Sequence, residues 1–360
     1  MAYLNVNEVE SAIIGLNQKY PNFTELITPP HKSVEKRTSH ALRISSNLQR
    51  SKKTIFITGG VHAREWGSCE ICVFLAADLL EAYEQNTGLI YGGKTFSSKE
   101  VKSLIESVDF LIFPDVNPDG RFYSQMKEAM WRRNRNPVDS GDVNQCIGVD
   151  INRNFDFLWN FPDHFSPLAA VQTSTDPCSM SQTYHGSSPE SEPETKNVVW
   201  MFDRFPQIKW YLDIHCHGEK ILTSWGDDEN QSNQPNMNFK NPAFNQVRGL
   251  EGDSTYKEFI PSDDRTITIA LANKMAQGIK AVRGRNYAVQ QAFALYPTSG
   301  TTDDYAYSRH TTNPSDAKIY GFTIEWGTEF QPPWTEMQHI ISEVSAGIVQ
   351  FSQSTISLVE

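Results

Sequence analysis

The stretch Thr54-Ile55-Phe56-Ile57-Thr58-Gly59-Gly60-Val61-His62-Ala63-Arg64-Glu65-Trp66-Gly67 decides how this chain is read. Its first five residues are apolar or β-branched, the pattern of a short strand buried on both faces. Two glycines interrupt the pattern, and Gly67 opens a segment with helical spacing that runs over residues 67–83. His62 and Glu65 fall in the turn between the two, just beyond the strand's C-terminal end, where open α/β sheets hold their ligands. A His-x-x-Glu pair by itself arises by chance in many chains.

Outward from this unit the same alternation repeats. Strand-like runs occur at 110–113, 208–214 and 319–324, and helix-like segments at 9–19, 99–106, 190–205, 267–283 and 334–350, with Asn7 as the N-cap of the first. Strands alternating with helices predict a single α/β domain with a largely parallel sheet covered on both faces. Residues 227–264 are rich in Asn, Gln, Asp and Gly, and read as a long polar surface insertion.

The second strand delivers His215 at its own C-terminal end. Two histidines and one glutamate form a three-ligand zinc set that leaves the fourth position open, which is the catalytic arrangement. The strand ending at Ile324 then supplies Glu325, a carboxylate flanked by bulky apolar neighbours and the candidate base.

Composition bounds the remaining possibilities. Of 360 residues 39% are hydrophobic and 21% charged, which excludes a disordered or low-complexity chain. Thirty-two basic and 43 acidic residues give a net charge of −11, which argues against nucleic acid or an anionic membrane as partner. The most apolar stretch, 69–80, carries Glu70 and Asp78 and is far shorter than the ~20 residues needed to cross a bilayer. Residues 1–10 lack the basic start and apolar segment of an export signal. A chain that begins natively at Met1 is therefore expected in the cytoplasm, and a trimmed one in a secreted setting. Cys69 and Cys72 form a C-x-x-C pair, but Cys72 enters an apolar run, and both read as small buried residues.

With further blocks added, these residues resemble the zinc carboxypeptidases of the pancreatic A and B type. The blocks are His62-Ala63-Arg64-Glu65-Trp66, Asn117-Pro118-Asp119-Gly120, Trp131-Arg132-Arg133-Asn134-Arg135, Gly148-Val149-Asp150-Ile151-Asn152-Arg153-Asn154, Thr183-Tyr184-His185-Gly186, Asp213-Ile214-His215 and Phe322-Thr323-Ile324-Glu325. The resemblance spans nearly the whole chain. It implies a single-domain α/β fold built on a mixed, mostly parallel eight-stranded sheet with helices on both faces. It also implies one Zn2+ per chain, and peptide or protein C-termini as substrate.

Carried over block by block, the resemblance makes His62, Glu65 and His215 the metal ligands and Glu325 the base. Arg132 matches the arginine that stabilises the oxyanion, while Asn152 and Arg153 match the pair that grips the substrate's C-terminal carboxylate. Asp150 matches the acid that orients His62, Tyr296 the tyrosine that closes over the bound residue, and Arg64 an outer arginine of the cleft. Asp303 falls where B-type enzymes place an aspartate beside a pocket for Lys or Arg, which predicts a preference for those C-terminal residues. Arg133 and Arg135 read instead as a solvated basic face.

The resemblance also pairs Cys146 with Cys178 and implies a cis peptide between Cys216 and His217. His217 departs from the family's tyrosine, and on an unbroken strand it would share a face with His215 and compete for the metal. Read from Met1, the sequence is expected to lack the pro-segment of the pancreatic enzymes. Rival readings are a broad or apolar-specific carboxypeptidase, a related zinc amidohydrolase acting on a non-protein amide, and an inactive binding module. The last predicts loss of one of His62, Glu65, His215, Arg132 or Glu325, and all five are present.

Overall fold

The computed structural model describes residues 3–141 and 143–358; Met1 and Ala2, on which the reading of the N-terminus partly rests, lie outside them. Its strands are β1 Thr24–Ile27, β2 Ala41–Ile44, β3 Thr54–Gly59, β4 Leu89–Tyr91, β5 Lys94–Phe96, β6 Asp109–Phe113, β7 Ile208–His215, β8 Lys220–Thr223, β9 Asn230–Gln231, β10 Glu258–Phe259, β11 Ala288–Gln291 and β12 Tyr320–Glu325. Eight of them form one sheet in the order β1-β2-β6-β3-β7-β12-β8-β11. The central four, β6-β3-β7-β12, are mutually parallel, whereas β1, β2 and the β12–β8 pairing are antiparallel. This is the mixed sheet that was expected. Every residue of β3, β6 and the end of β7 is buried, which explains why these strands lack any polar alternation.

Register decides where chemistry can gather. Gly59 lies opposite Ile214, and Glu325 lies opposite His215. Three parallel strands therefore end at one level, with the turn after β3, the last residue of β7 and the last residue of β12 side by side.

The helix-like segments all form, with shifted ends. The first helix is Val6–Lys19 and its cap is Asn5 rather than Asn7, because Glu8 stands three residues after Asn5 and closes a reciprocal pair of hydrogen bonds with it. Two further helices, Pro118–Met126 and Thr302–Thr312, carry few apolar residues and give no periodic signal. The long helices Ser262–Arg283 and Trp334–Thr355 approach closely, since a Cβ at Gly278 would lie 2.7 Å from the carbonyl oxygen of Ala346.

The polar insertion is more structured than its composition suggests. β9 and β10 pair in parallel within it, and Asp227, Asp228, Arg248, Tyr256 and Glu258 are buried there. Arg248 donates to the carbonyls of Asn238 and Asn241, and Asp228 accepts from the Gly249 N–H. Hydrogen bonding substitutes for an apolar core in this segment.

Arg133 is also not solvated. It is buried and donates to the carbonyl of Pro177, while Arg135 lies half-buried over the Tyr123 ring. Cys146 and Cys178 are bonded, and Cys69 and Cys72 are buried free thiols. The peptide Cys216–His217 is cis, as is Ser224–Trp225, which sequence reasoning did not anticipate. None of the described helices is long and apolar enough to cross a membrane.

Candidate metal centre and substrate cleft

Backbone geometry after β3 sets the position of the centre. Gly60 takes a positive φ of 68°, and a Cβ there would crowd Cys69 Sγ at 2.8 Å and Asp115 Oδ1 at 3.0 Å, so only glycine permits this turn. Asn117 donates to the Val61 carbonyl, and Ala63 donates its N–H to the Arg132 carbonyl, which ties the turn to its neighbours.

His62, Glu65 and His215 come together, all buried, with one ligand-type atom from each within 4.8 Å of the others. His62 Nδ1 lies 2.8 Å from Glu65 Oε1, and His215 Nδ1 lies 3.1 Å from Glu65 Oε2 and 2.9 Å from His62 Nδ1. On their outer sides the rings face carboxylates: His62 Nε2 is 3.2 Å from Asp150 Oδ1, and His215 Nε2 is 2.8 Å from Asp213 Oδ2. Protons held at the two Nε2 positions leave both Nδ1 lone pairs pointing at the Glu65 carboxylate, and such a convergence of lone pairs needs a cation. The donor set therefore fits zinc.

Electrostatics divide the three. Burial and the nearby Arg132 lower the His62 pKa. Burial would lower His215 too, but Asp213 and Glu65 outweigh it and raise the ring well above its usual value. Burial likewise works against ionisation of Glu65, yet the two histidines prevail and hold it low.

Glu325 stands half-buried at the cleft wall, raised to about 7 by burial and by the Glu65 charge. Arg132 is fixed by donating Nε to Asp150 Oδ2 at 2.9 Å and its N–H to Gln182 Oε1. Arg153 donates Nε to the Gln172 carbonyl and Nη1 to the Asn152 carbonyl. Asn152 Oδ1 accepts from Thr302 N and Oγ1, and its amide lies in the cleft lining. A Cβ at Gly300 would fall 2.2 Å from the Arg153 carbonyl oxygen, so glycine alone allows the two segments to meet.

Nine of the ten site residues expected from sequence line one cleft of about 250 Å³, and the tenth, His215, lies buried behind it against His62 and Glu65. Tyr296 sits on its exposed rim. Arg64 stacks on Phe330, with its Cζ 4.4 Å from the ring centre, and the exposed His217 meets the same ring at 4.8 Å; His217 is not part of the three-residue metal group. Asp303 is buried at the far end, accepting from Thr323 Oγ1 at 3.0 Å and from the Asp304 N–H. Burial raises its pKa.

Sequence reasoning assigned no role to Gln182 and Thr302, polar residues in stretches without a pattern, to Thr323 within the β12 block, or to the apolar lining of Leu222, Ala292 and Leu295. It also missed Asp213 as a partner of His215, although a residue two before a ligand on a strand shares its face.

A metal corner at the C-terminal ends of parallel strands, opening on a cleft with three arginines, defines a zinc hydrolase of the α/β class. A sequence model of the zinc carboxypeptidases matches residues 9–347, and the chain belongs to that family. Human carboxypeptidase O is 27% identical over 352 residues, covering 95% of this chain and 78% of that protein. Carboxypeptidase B of Helicoverpa zea is 31% identical, covering 96% and 69%. The crystal structure of thrombin activatable fibrinolysis inhibitor superimposes with a TM-score of 0.74 at 25% identity, over 99% of this chain and 75% of that one. The protein is a zinc metallocarboxypeptidase, a hydrolase whose family acts on the C-termini of peptides.

Proposed function

We propose that His62, Glu65 and His215 hold the zinc and that the enzyme removes C-terminal Lys or Arg. A zinc ion held there supplies an acidified water and Lewis-acid polarisation of the scissile carbonyl. Glu325 accepts the proton of the attacking water and passes it to the leaving amine, a task that suits a carboxylate raised to about 7. Arg132, with its Nε tied to Asp150, turns the rest of its guanidinium toward the developing oxyanion. The Asn152 amide and the free edge of Arg153 grip the substrate's terminal carboxylate. Tyr296 closes the rim, and Arg64 on Phe330 contacts the chain upstream of the scissile bond.

The observation that carries the specificity is Asp303. It is 4% exposed in the cleft, its donors are the hydroxyls of Thr323 and Thr301 and a backbone N–H, and no ion pair with a Lys or Arg is formed by it among the described residues. Asp304 stands behind it with its own pKa raised by burial and by the Asp303 and Asp227 charges. A cationic substrate side chain is the missing counter-charge, and in a desolvated pocket it contributes more than the ~1 kcal/mol of a surface pair. Leu222, Ala292 and Leu295 in the same lining favour a second reading, a pocket for large apolar residues. The test is kcat/KM on otherwise identical peptides ending in Arg, Lys, Phe and Leu. The cationic pair is expected to lead, and a lead by Phe or Leu overturns the specificity while leaving the carboxypeptidase standing. The Cys146–Cys178 bond supports an oxidising compartment for the mature enzyme.

A further inference from the structure

Two carboxylates reach the imidazoles of the metal corner from behind, and the sequence motif accounts only for Asp150. The other is Asp213, fully buried on β7 and two residues before His215, so that both side chains leave the same face of the strand. Its Oδ2 lies 2.8 Å from His215 Nε2, with the ring N–H pointing off the line between them, so the contact is that of a charge beside the ring rather than a linear hydrogen bond. Its Oδ1 accepts from Thr58 Oγ1 at 2.7 Å. Thr58 is the direct register partner of Asp213 on β3, the strand that leads to His62, and its hydroxyl also lies 2.6 Å from the Tyr211 hydroxyl on the same face of β7.

We propose that Asp213 is a second positioning residue of the metal site. Its carboxylate against Nε2 holds the His215 ring with Nδ1 toward His62 Nδ1 and Glu65, while Thr58 holds the carboxylate in place through Oδ1. Among the described residues the Asp213 carboxylate has one neutral donor, a hydroxyl, and no ion pair with Lys or Arg, and a carboxylate buried in this way is costly to fold and is retained where it tunes a ligand.

The two carboxylates differ in what they serve. Asp150 is shared among His62, Arg132 Nε and the Asn152 N–H. Asp213 serves His215 alone among the site residues. Loss of Asp213 therefore weakens the metal site without disturbing Arg132, whereas loss of Asp150 disturbs both.

This rests on His215 being a ligand, and the experiment separates the two claims. The zinc dissociation constants of the parent, Asp213→Asn, Asp150→Asn and Thr58→Val are measured by competition with a chromophoric chelator at fixed pH, with circular dichroism and melting of the metal-free proteins alongside. The peptide KM is measured at saturating zinc, and the visible spectra are recorded after cobalt substitution. Asp213→Asn is expected to bind zinc about 10- to 100-fold more weakly, to shift the cobalt bands and to keep the parent KM, while Asp150→Asn also raises KM. Thr58→Val is expected to move zinc affinity the same way by less. A folded Asp213→Asn with zinc affinity within about twofold of the parent overturns the proposal. If Asp213→Asn does not fold, unchanged zinc affinity in Thr58→Val overturns it. A parent that binds no zinc overturns the ligand assignment itself.

Discussion

The two ends of the cleft treat buried carboxylates in opposite ways. At the metal corner each has a positive or protonated neighbour: Asp150 faces His62 and Arg132, Asp213 faces His215, and Glu65 lies between both rings. Around Asp303 the carboxylates of Asp303, Asp304 and Asp227 are equally buried, and burial raises all three, with Arg248 the cation that opposes it at Asp227. Compensated charges fix geometry, because each is held by the partner it neutralises. An uncompensated one either takes up a proton or waits for a charge carried by a ligand. The same residue type thus has its charge compensated at one end and left without a cationic partner at the Asp303 end.

The contrast can be broken most severely at Glu325. Glu325→Gln keeps the shape of the side chain but cannot accept a proton, so kcat is expected to fall about 10²- to 10⁴-fold with zinc content unchanged by elemental analysis. Near-normal turnover would place the base elsewhere.

A smaller effect is expected at the uncompensated end. Asp303→Ala removes the negative charge from the pocket without touching the metal, and the ratio of kcat/KM for C-terminal Arg over Phe should drop about 10- to 100-fold, as expected for loss of a desolvated charge pair. An unchanged ratio would mean that Asp303 does not read the substrate side chain.

The mildest test uses pH. Glu325 must be deprotonated to act as base, so kcat/KM is expected to decline as pH falls through its pKa, by about tenfold per unit once below it. Burial and Glu65 raise that pKa to about 7, and a zinc cation beside the carboxylate pulls it down, so the acid limb belongs below about 7. A limb centred above 7, or one that persists unaltered in the residual activity of Glu325→Gln, would contradict the assignment.

Legibility in the sequence followed the same divide. The strands β3, β6, β7 and β12 were readable because burial on both faces demands continuous apolar runs, and the residues at their ends follow from where those runs stop. Helix Thr302–Thr312, which carries Asp303 into the pocket, was not readable, since its Asp, Thr, Tyr and Ser residues are buried by tertiary hydrogen bonds and not by an amphipathic stripe. A Cβ at Gly321 of β12 would lie 2.4 Å from the Asp303 carbonyl oxygen, so the approach of this helix to the sheet depends on a glycine whose purpose only the packing reveals.

The sequence by itself determined the class of fold, the three convergent metal-type residues, Glu325, and the Cys146–Cys178 pairing through its resemblance to a family. Those features are local patterns or fixed motifs, and a pattern survives in one dimension. Tertiary structure alone decided that Arg133 is buried, that the polar insertion folds around Arg248, that Asp303 faces the cleft without a counter-ion, and that Asp213 stands against His215. Each of these depends on which distant segment supplies or withholds a partner. Burial, charge compensation and hydrogen-bond satisfaction are properties of neighbourhoods, and neighbourhoods exist only once strand order and register have brought remote residues together.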